Sequence, residues 1–215
     1  MPGTRAKVTS APRELEEACA FLIKKDRPLA RVIGKIGPCG LKTNPMQSPF
    51  EALAEAIVYQ QLSGKAAATI FGRVKALFGE KIVLEPEDIL LSSEEKLRSA
   101  GCSRAKALAL LDLAIKTKEG LVPDLEAMHA MSDDELIERL CAVRGVGRWT
   151  VEMLLVFRLG RLDVLPSTDY GIRKGFALTY KLDQLPAPRE IIAYGQRWKP
   201  FRTVASWYLW RALEL

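Results

Sequence analysis

SDDELIERLCAVRGVGRWTVEMLLVFRLGRLDVLPSTD, from Ser132 to Asp169, decides how the rest of the chain is read. Ser132 followed by Glu135 has capping-box spacing, so a helix starts there with Leu136, Ile137 and Leu140 on its apolar face. The pattern breaks at Arg144-Gly145-Val146-Gly147. Two glycines around one apolar residue suit a tight turn, because glycine accepts positive φ and lets a backbone approach closely. A second apolar helix then begins near Arg148 and carries Trp149, Val151, Met153, Leu154 and Phe157. The amides of Gly145 and Gly147, beside the positive end of that second helix, suit a phosphate, and Arg144 and Arg148 flank the spot. Taken alone, a glycine corner between helices reads more readily as a bend in a core. The continuation separates the two: Asp163-Val164-Leu165-Pro166-Ser167-Thr168-Asp169-Tyr170 is an apolar approach ending in a carboxylate at the start of another helix.

Working outward, the remaining pattern is helical. A first helix is expected over 12–25, followed by an irregular connector through Gly34, Gly37, Pro38 and Gly40. Ser48-Pro49 is an N-cap with proline in the first turn, leading into FEALAEAIVYQQ with Leu53, Ile57 and Val58 inward. After Leu62-Ser63-Gly64 a helix runs to Gly79, Pro86 opens a short one, and Ser92 with Glu95 caps the next as far as Gly101. Ser103 caps RAKALALLDLAIKTK, whose Leu108, Leu111 and Ile115 make a helical stripe. Beyond Asp169, helices are expected from Tyr170 to Tyr180, after Pro188 and after Pro200. Ile82-Val83-Leu84 is the only strand-like stretch, and residues 1–11 read as a loose tail. The fold class is all-α.

The chain has 215 residues, 48% hydrophobic and 27% charged, enough for one sizeable core or two small lobes. Net charge is +6, which permits nucleic-acid binding without requiring it. Residues 1–50 carry +5 (9 basic, 4 acidic) and 151–215 carry +4 (10 and 6), while 51–100 and 101–150 carry −2 and −1. No apolar run is long enough for a membrane span and no signal-peptide core opens the chain, so no membrane partner is expected. The expected location is the compartment of synthesis: cytoplasm in a prokaryote, nucleus in a eukaryote. Cys19, Cys39, Cys102 and Cys141 lie far apart without a CxxC pair, which argues against zinc and against an iron–sulfur cluster. His129 has no metal partner in the sequence and reads as a surface or packing residue.

Helix, four-residue glycine hairpin, helix resembles the helix-hairpin-helix motif. With an aspartate twenty residues after Trp149, the order resembles the helix-hairpin-helix/Gly-Pro-Asp superfamily of DNA base-excision glycosylases. GVGRWT, DVLPSTDYGIRKGF and RWKPFRTVASWYLW are similar to its AlkA type, the 3-methyladenine DNA glycosylases II, across roughly residues 48–213. The resemblance implies two helical lobes with a cleft between them, in a compact form without the N-terminal β domain of the AlkA type proper. Residues 1–47 would pack with the C-terminal segment 164–215, and 48–163 would form a bundle holding the hairpin at 132–158; hairpin and Asp169 would face the cleft.

It also implies roles. Asp169 would be the catalytic carboxylate, stabilising the positive sugar that forms as a base leaves or orienting the attacking water. The alternative is that Asp169 only caps the helix at Tyr170, with Ser167 and Thr168 as rivals; these two stand where the AlkA type proper has an acidic residue. Trp149 occupies the place of the lysine used by relatives that also cut the strand. It offers a face for a cationic base instead, or is a core residue. Trp210 and Met153 would line the base pocket, Met153 replacing a tyrosine of the AlkA type. Gln61 or Leu62, after Gln60, would wedge into the duplex when a nucleotide flips out. Gly145, Val146, Gly147, Arg148 and Thr150 would bind a DNA phosphate, and the carbonyls of Val143 and Gly145 could hold a monovalent cation. Ser103, Lys106, Arg173, Lys174, Arg197, Lys199 and Arg202 are candidate backbone contacts. The expected protein is a monomeric, cofactor-free glycosylase removing alkylated purines from double-stranded DNA without cutting it. The alternatives are a non-catalytic DNA-binding module, or a glycosylase for uracil, hypoxanthine or ethenoadenine.

Overall fold

The computed structural model describes residues 12–79 and 83–215, and among them every regular element is helical. The expected tail at 1–11, and Ile82 of the strand-like stretch, lie outside the described residues. The helices are α1 Pro12–Lys25, α2 Arg27–Ile36, α3 Pro49–Tyr59, α4 Gly64–Ala76, α5 Pro86–Leu90, α6 Glu94–Ser99 and α7 Arg104–Lys118. They continue with α8 Leu125–Ala130, α9 Asp133–Cys141, α10 Arg148–Phe157, α11 Tyr170–Tyr180, α12 Pro188–Gly195 and α13 Arg202–Arg211. No described helix is long and apolar enough to cross a membrane. The chain divides into two units, Met46–Leu154, and the residues up to Pro45 together with Leu155–Leu215. The second division falls inside α10, earlier than the boundary at 163 expected from the sequence. The reason lies in Phe157, whose carbonyl accepts the Asn44 amide at 2.8 Å and whose ring stacks on Trp210 at 5.9 Å.

In the unit Met46–Leu154, short polar side chains set the helix starts. Ser48, Ser63, Ser93, Ser103, Asp124 and Ser132 each accept the backbone N–H three residues on, a contact contributing about 1 kcal/mol. At Ser132 the capping box is complete, with Glu135 Oε2 accepting the Ser132 amide at 2.9 Å. Ser93, not Ser92, caps α6, because the Ser92 amide is still bonded to Ile89 O at 3.0 Å, closing α5. Leu53, Ile57 and Val58 of α3 are buried, and α3 packs on α4 and α7. The α7 stripe is not the one expected: Ala107, Leu110, Leu113 and Ala114 are buried, while Ile115 is exposed. This helix packs against α3, α5 and α6 together, so it is apolar on several faces and its spacing does not single one out.

The other unit is built on α1, α2, α11, α12 and α13. The expected irregular connector is in part α2, capped by Asp26 with Pro28 in its first turn and closed at Gly37, which takes φ 87°. Asp26 is 2% exposed and accepts from Leu29 N (3.1 Å), Tyr180 Oη (2.7 Å) and Trp198 Nε1 (2.8 Å). Those donors replace the water that a buried carboxylate has lost. Phe176, Tyr180, Tyr194 and Trp198 pack edge-on or tilted around it. The crossing of α11 and α13 depends on Gly175, where a Cβ would lie 2.0 Å from the Leu209 carbonyl oxygen. That closeness brings the end of α13 against the start of α11.

Candidate active site and nucleic-acid anchor

The hairpin lies between α9 and α10. Val143 N bonds Leu140 O at 3.1 Å and Val146 N bonds Val143 O at 3.0 Å, so the loop closes by continuing α9 into tight turns. Gly145 takes φ 78°, the left-handed region open to glycine, and a Cβ there would lie 3.3 Å from Ala109 Cβ. Gly147 differs: its φ is ordinary and a Cβ would meet nothing within 4 Å. Gly145 is thus demanded by its own turn and by Ala109, whereas no neighbour within 4 Å demands a glycine at 147. Among the described residues neither the Gly145 nor the Gly147 amide finds an intrachain acceptor, and the first turn of α10 adds the orphan donors of any helix start. Val146 and Thr150 are both buried, and the Val146 amide is already spent on Val143 O, so of these two expected phosphate contacts only Thr150, through its backbone amide, keeps a donor to offer. Arg148 is more than half exposed and pairs through Nε with the buried Glu152 at 3.0 Å. The Gly145 carbonyl, a candidate cation ligand, accepts the Gln60 amide at 2.8 Å and keeps a second lone pair.

Two residues of α7 that sequence reasoning missed hold this loop. Asp112 Oδ2 accepts the Arg144 amide at 2.7 Å, and Lys116 Nζ lies 2.9 Å from the same oxygen while also donating to Ala142 O. Burial pushes the Asp112 carboxyl up, but the Arg144 amide and Lys116 outweigh it, so the group sits below its ordinary value. The only signal in the sequence is an acid–base pair four residues apart on a helix that is otherwise mostly apolar.

The tip of α3 carries Gln60, Gln61 and Leu62. Gln61 is exposed with φ 57°, a left-handed conformation that costs a non-glycine residue roughly 1–2 kcal/mol. Leu62 beside it is 39% exposed. Trp149 is not a core residue: it is 47% exposed in the first turn of α10, with Met153 half-buried one turn later.

Asp169, in the other unit, caps α11, and the same oxygen does more. Oδ1 accepts the Ile172 amide at 2.8 Å and the Trp210 indole N–H at 2.9 Å. The capping role that competed with the chemical one is thus present, and it fixes the carboxylate for a partner 41 residues away. Room for that bond comes from Gly171, where a Cβ would stand 3.0 Å from both Asp169 Oδ1 and Trp210 Cδ1. Asp169 and Trp210 are half-buried, and Tyr170 next to the carboxylate is 64% exposed. Ser167 is buried and Thr168 exposed. Trp207 packs over Gly40, and Tyr208 is buried with its hydroxyl on Gly37 O.

The basic candidates divide. Arg202 is committed to Asp163 through Nε at 2.8 Å and an Nη2 at 2.9 Å, so it is removed as a phosphate contact. Arg173 donates to Pro186 O, and Arg197 lies 3.6 Å over the Tyr194 ring. Lys174 and Lys199 are exposed. Lys106 turns inward to the end of α3, and Ser103 spends its hydroxyl on the Lys106 amide. His129 is exposed, the four cysteines are unbridged, and no metal-binding cluster occurs among the described residues.

Comparison with known proteins places the chain in a family. Residues 54–200 match the family model described as HhH-GPD superfamily base excision DNA repair protein. The chain is 38% identical over 187 residues to DNA-3-methyladenine glycosylase 1 of Schizosaccharomyces pombe, covering 87% of this chain and 81% of that one. The solved structure of the S. pombe 3-methyladenine DNA glycosylase Mag1 in complex with abasic DNA aligns with TM-score 0.81 and 36% identity, over 93% of this chain and 97% of that one. A DNA-3-methyladenine glycosidase from Bacillus halodurans aligns with TM-score 0.82 and 36% identity, over 91% and 88%.

Proposed function

The chain belongs to the HhH-GPD superfamily of base excision DNA repair proteins, and from that premise we propose that it is a DNA glycosylase releasing alkylated purines of the 3-methyladenine kind from duplex DNA. The observation that carries this reading is the Asp169–Trp210 pair: a carboxylate held by an indole N–H and a helix N-terminus, next to an aromatic face. In the reaction the N-glycosidic bond breaks and its electron pair leaves with the base, neutralising the ring charge of the alkylated purine. Positive charge develops on the sugar, Asp169 stabilises it, and water adds at the sugar carbon while its proton passes to solvent. A cationic leaving base needs little help from a general acid. The half-buried ring of Trp210, bonded to Asp169, offers an electron-rich face to such a base. Hairpin amides grip a backbone phosphate through the helix start, while Gln61 and Leu62 fill the gap a flipped nucleotide leaves.

Strand cutting is not part of the proposed reaction, because Trp149 has no amine to attack the sugar. The protein acts as a monomer on double-stranded DNA with water as the only co-reactant. The test is base release from methylated duplex by wild type and Asp169→Asn. Asparagine keeps the cap, so folding should survive while release falls by about 10²-fold or more. Equal release removes Asp169 from the chemistry, and duplex binding without release by either protein favours the non-catalytic module. A borohydride-trapped enzyme–DNA adduct would overturn the proposed lack of strand cutting.

A further inference from the structure

The α3 tip is fastened by two side chains that no motif marks. Lys106, in the first turn of α7, sends Nζ to the carbonyls of Val58 at 2.8 Å and Gln60 at 2.9 Å, acceptors left over where α3 ends. Burial draws this amine below the ordinary lysine value, in keeping with a group turned inward. Gln60 in turn donates Nε2 to the Gly145 carbonyl at 2.8 Å. Between these bonds Gln61 holds its left-handed backbone at φ 57°, and across them Gly145 holds its own at φ 78°. Tip and hairpin loop are one hydrogen-bonded piece within the unit.

We infer that Lys106 and Gln60 are positioning residues: they set the direction in which Gln61 and Leu62 leave α3, so that the tip enters the gap of a flipped nucleotide. Lys106 acts on protein carbonyls and not on a DNA phosphate. The inference deepens the wedge assignment and rests on it.

The experiment uses the full chain and a duplex with an abasic-site analogue opposite 2-aminopurine, whose fluorescence reports the stacking of the orphaned base. Wild type, Lys106→Met and Gln60→Met are compared by affinity at several salt concentrations, by fluorescence of the saturated complex, and by base release from methylated DNA. Lys106→Met should leave the slope of log affinity against log salt unchanged while the fluorescence change shrinks. Release should fall roughly 10²-fold, the scale of an ångström-level misplacement. Gln60→Met should move the same way, and the double variant no further than the worse single, since both act through one tip. A slope smaller by about one in Lys106→Met, with wild-type fluorescence at saturation, would make the lysine a phosphate contact and overturn the inference. Wild-type fluorescence and release in both variants would overturn it equally. Should Lys106→Met fail to fold, Gln60→Met decides by the same readouts. If wild type perturbs the probe yet releases no base, the glycosylase reading fails while the fluorescence still judges the tip.

Discussion

The hairpin and the carboxylate corner solve opposite problems. At the hairpin the atoms proposed to meet a phosphate are backbone amides, and Asp112, Lys116 and Gln60 stand behind the loop holding it in shape. At the carboxylate the functional atom belongs to a side chain, and what stands behind it is absence: Gly171 and Gly175 let α13 come close enough for Trp210 to reach Asp169. One site is held by added polar side chains, the other by omitted Cβ atoms. A site of the first kind should degrade gradually when a support is lost, and one of the second kind abruptly.

The sharpest way to break that contrast is Gly175→Ala. The new Cβ would fall 2.0 Å from Leu209 O and 2.7 Å from its carbonyl carbon, so backbone must move. A loss of about 3 kcal/mol is expected, read as a lowered melting midpoint with base release falling alongside; an unchanged midpoint would deny the close approach. Next comes Trp210→Phe, which keeps an aromatic ring near Phe157 and deletes the donor to Asp169. Release should drop about tenfold, corresponding to the lower end of a hydrogen bond to a charged group, while affinity for undamaged duplex stays as it was. Unchanged release would show that the helix cap alone aims the carboxylate.

Asp112→Asn should have the smallest effect. The Asp112 carboxyl lies below its ordinary value of 3.8 in the folded protein, so its contribution is present above that value and is lost as pH falls through the lower, folded value. Thermal melts through the acid range should therefore show a flatter decline for the variant below about pH 4, and little difference near neutrality, because the side chain is 28% exposed and solvent screens it. A large neutral-pH loss would place this support in the abrupt class.

What the sequence revealed follows the same division. The Ser132 capping box, the glycine turn and the Asp169 cap are local signals, and each appears where its spacing implies. The second helix is masked in the sequence by Gly34 inside it and by the loop-forming cluster of Gly37, Pro38 and Gly40 at its end, although Asp26-Arg27-Pro28 is a helix start. The buried face of α7 is not the stripe of Leu108, Leu111 and Ile115, because a helix packed on several sides has no single period. Lys106 and Arg202 look alike as solvated cations in a string of letters, yet one caps a helix end and the other locks onto Asp163. Such commitments join residues 39 or more positions apart and leave no local trace.

A single oxygen of residue 169 serves both the helix end and the indole. An acid-to-amide exchange would still satisfy both donors, so, on the proposed role of this carboxylate, the scaffold would outlive its reactivity. A lineage could retire this enzyme by one nucleotide change and retain a stable protein that still grips DNA and no longer edits it.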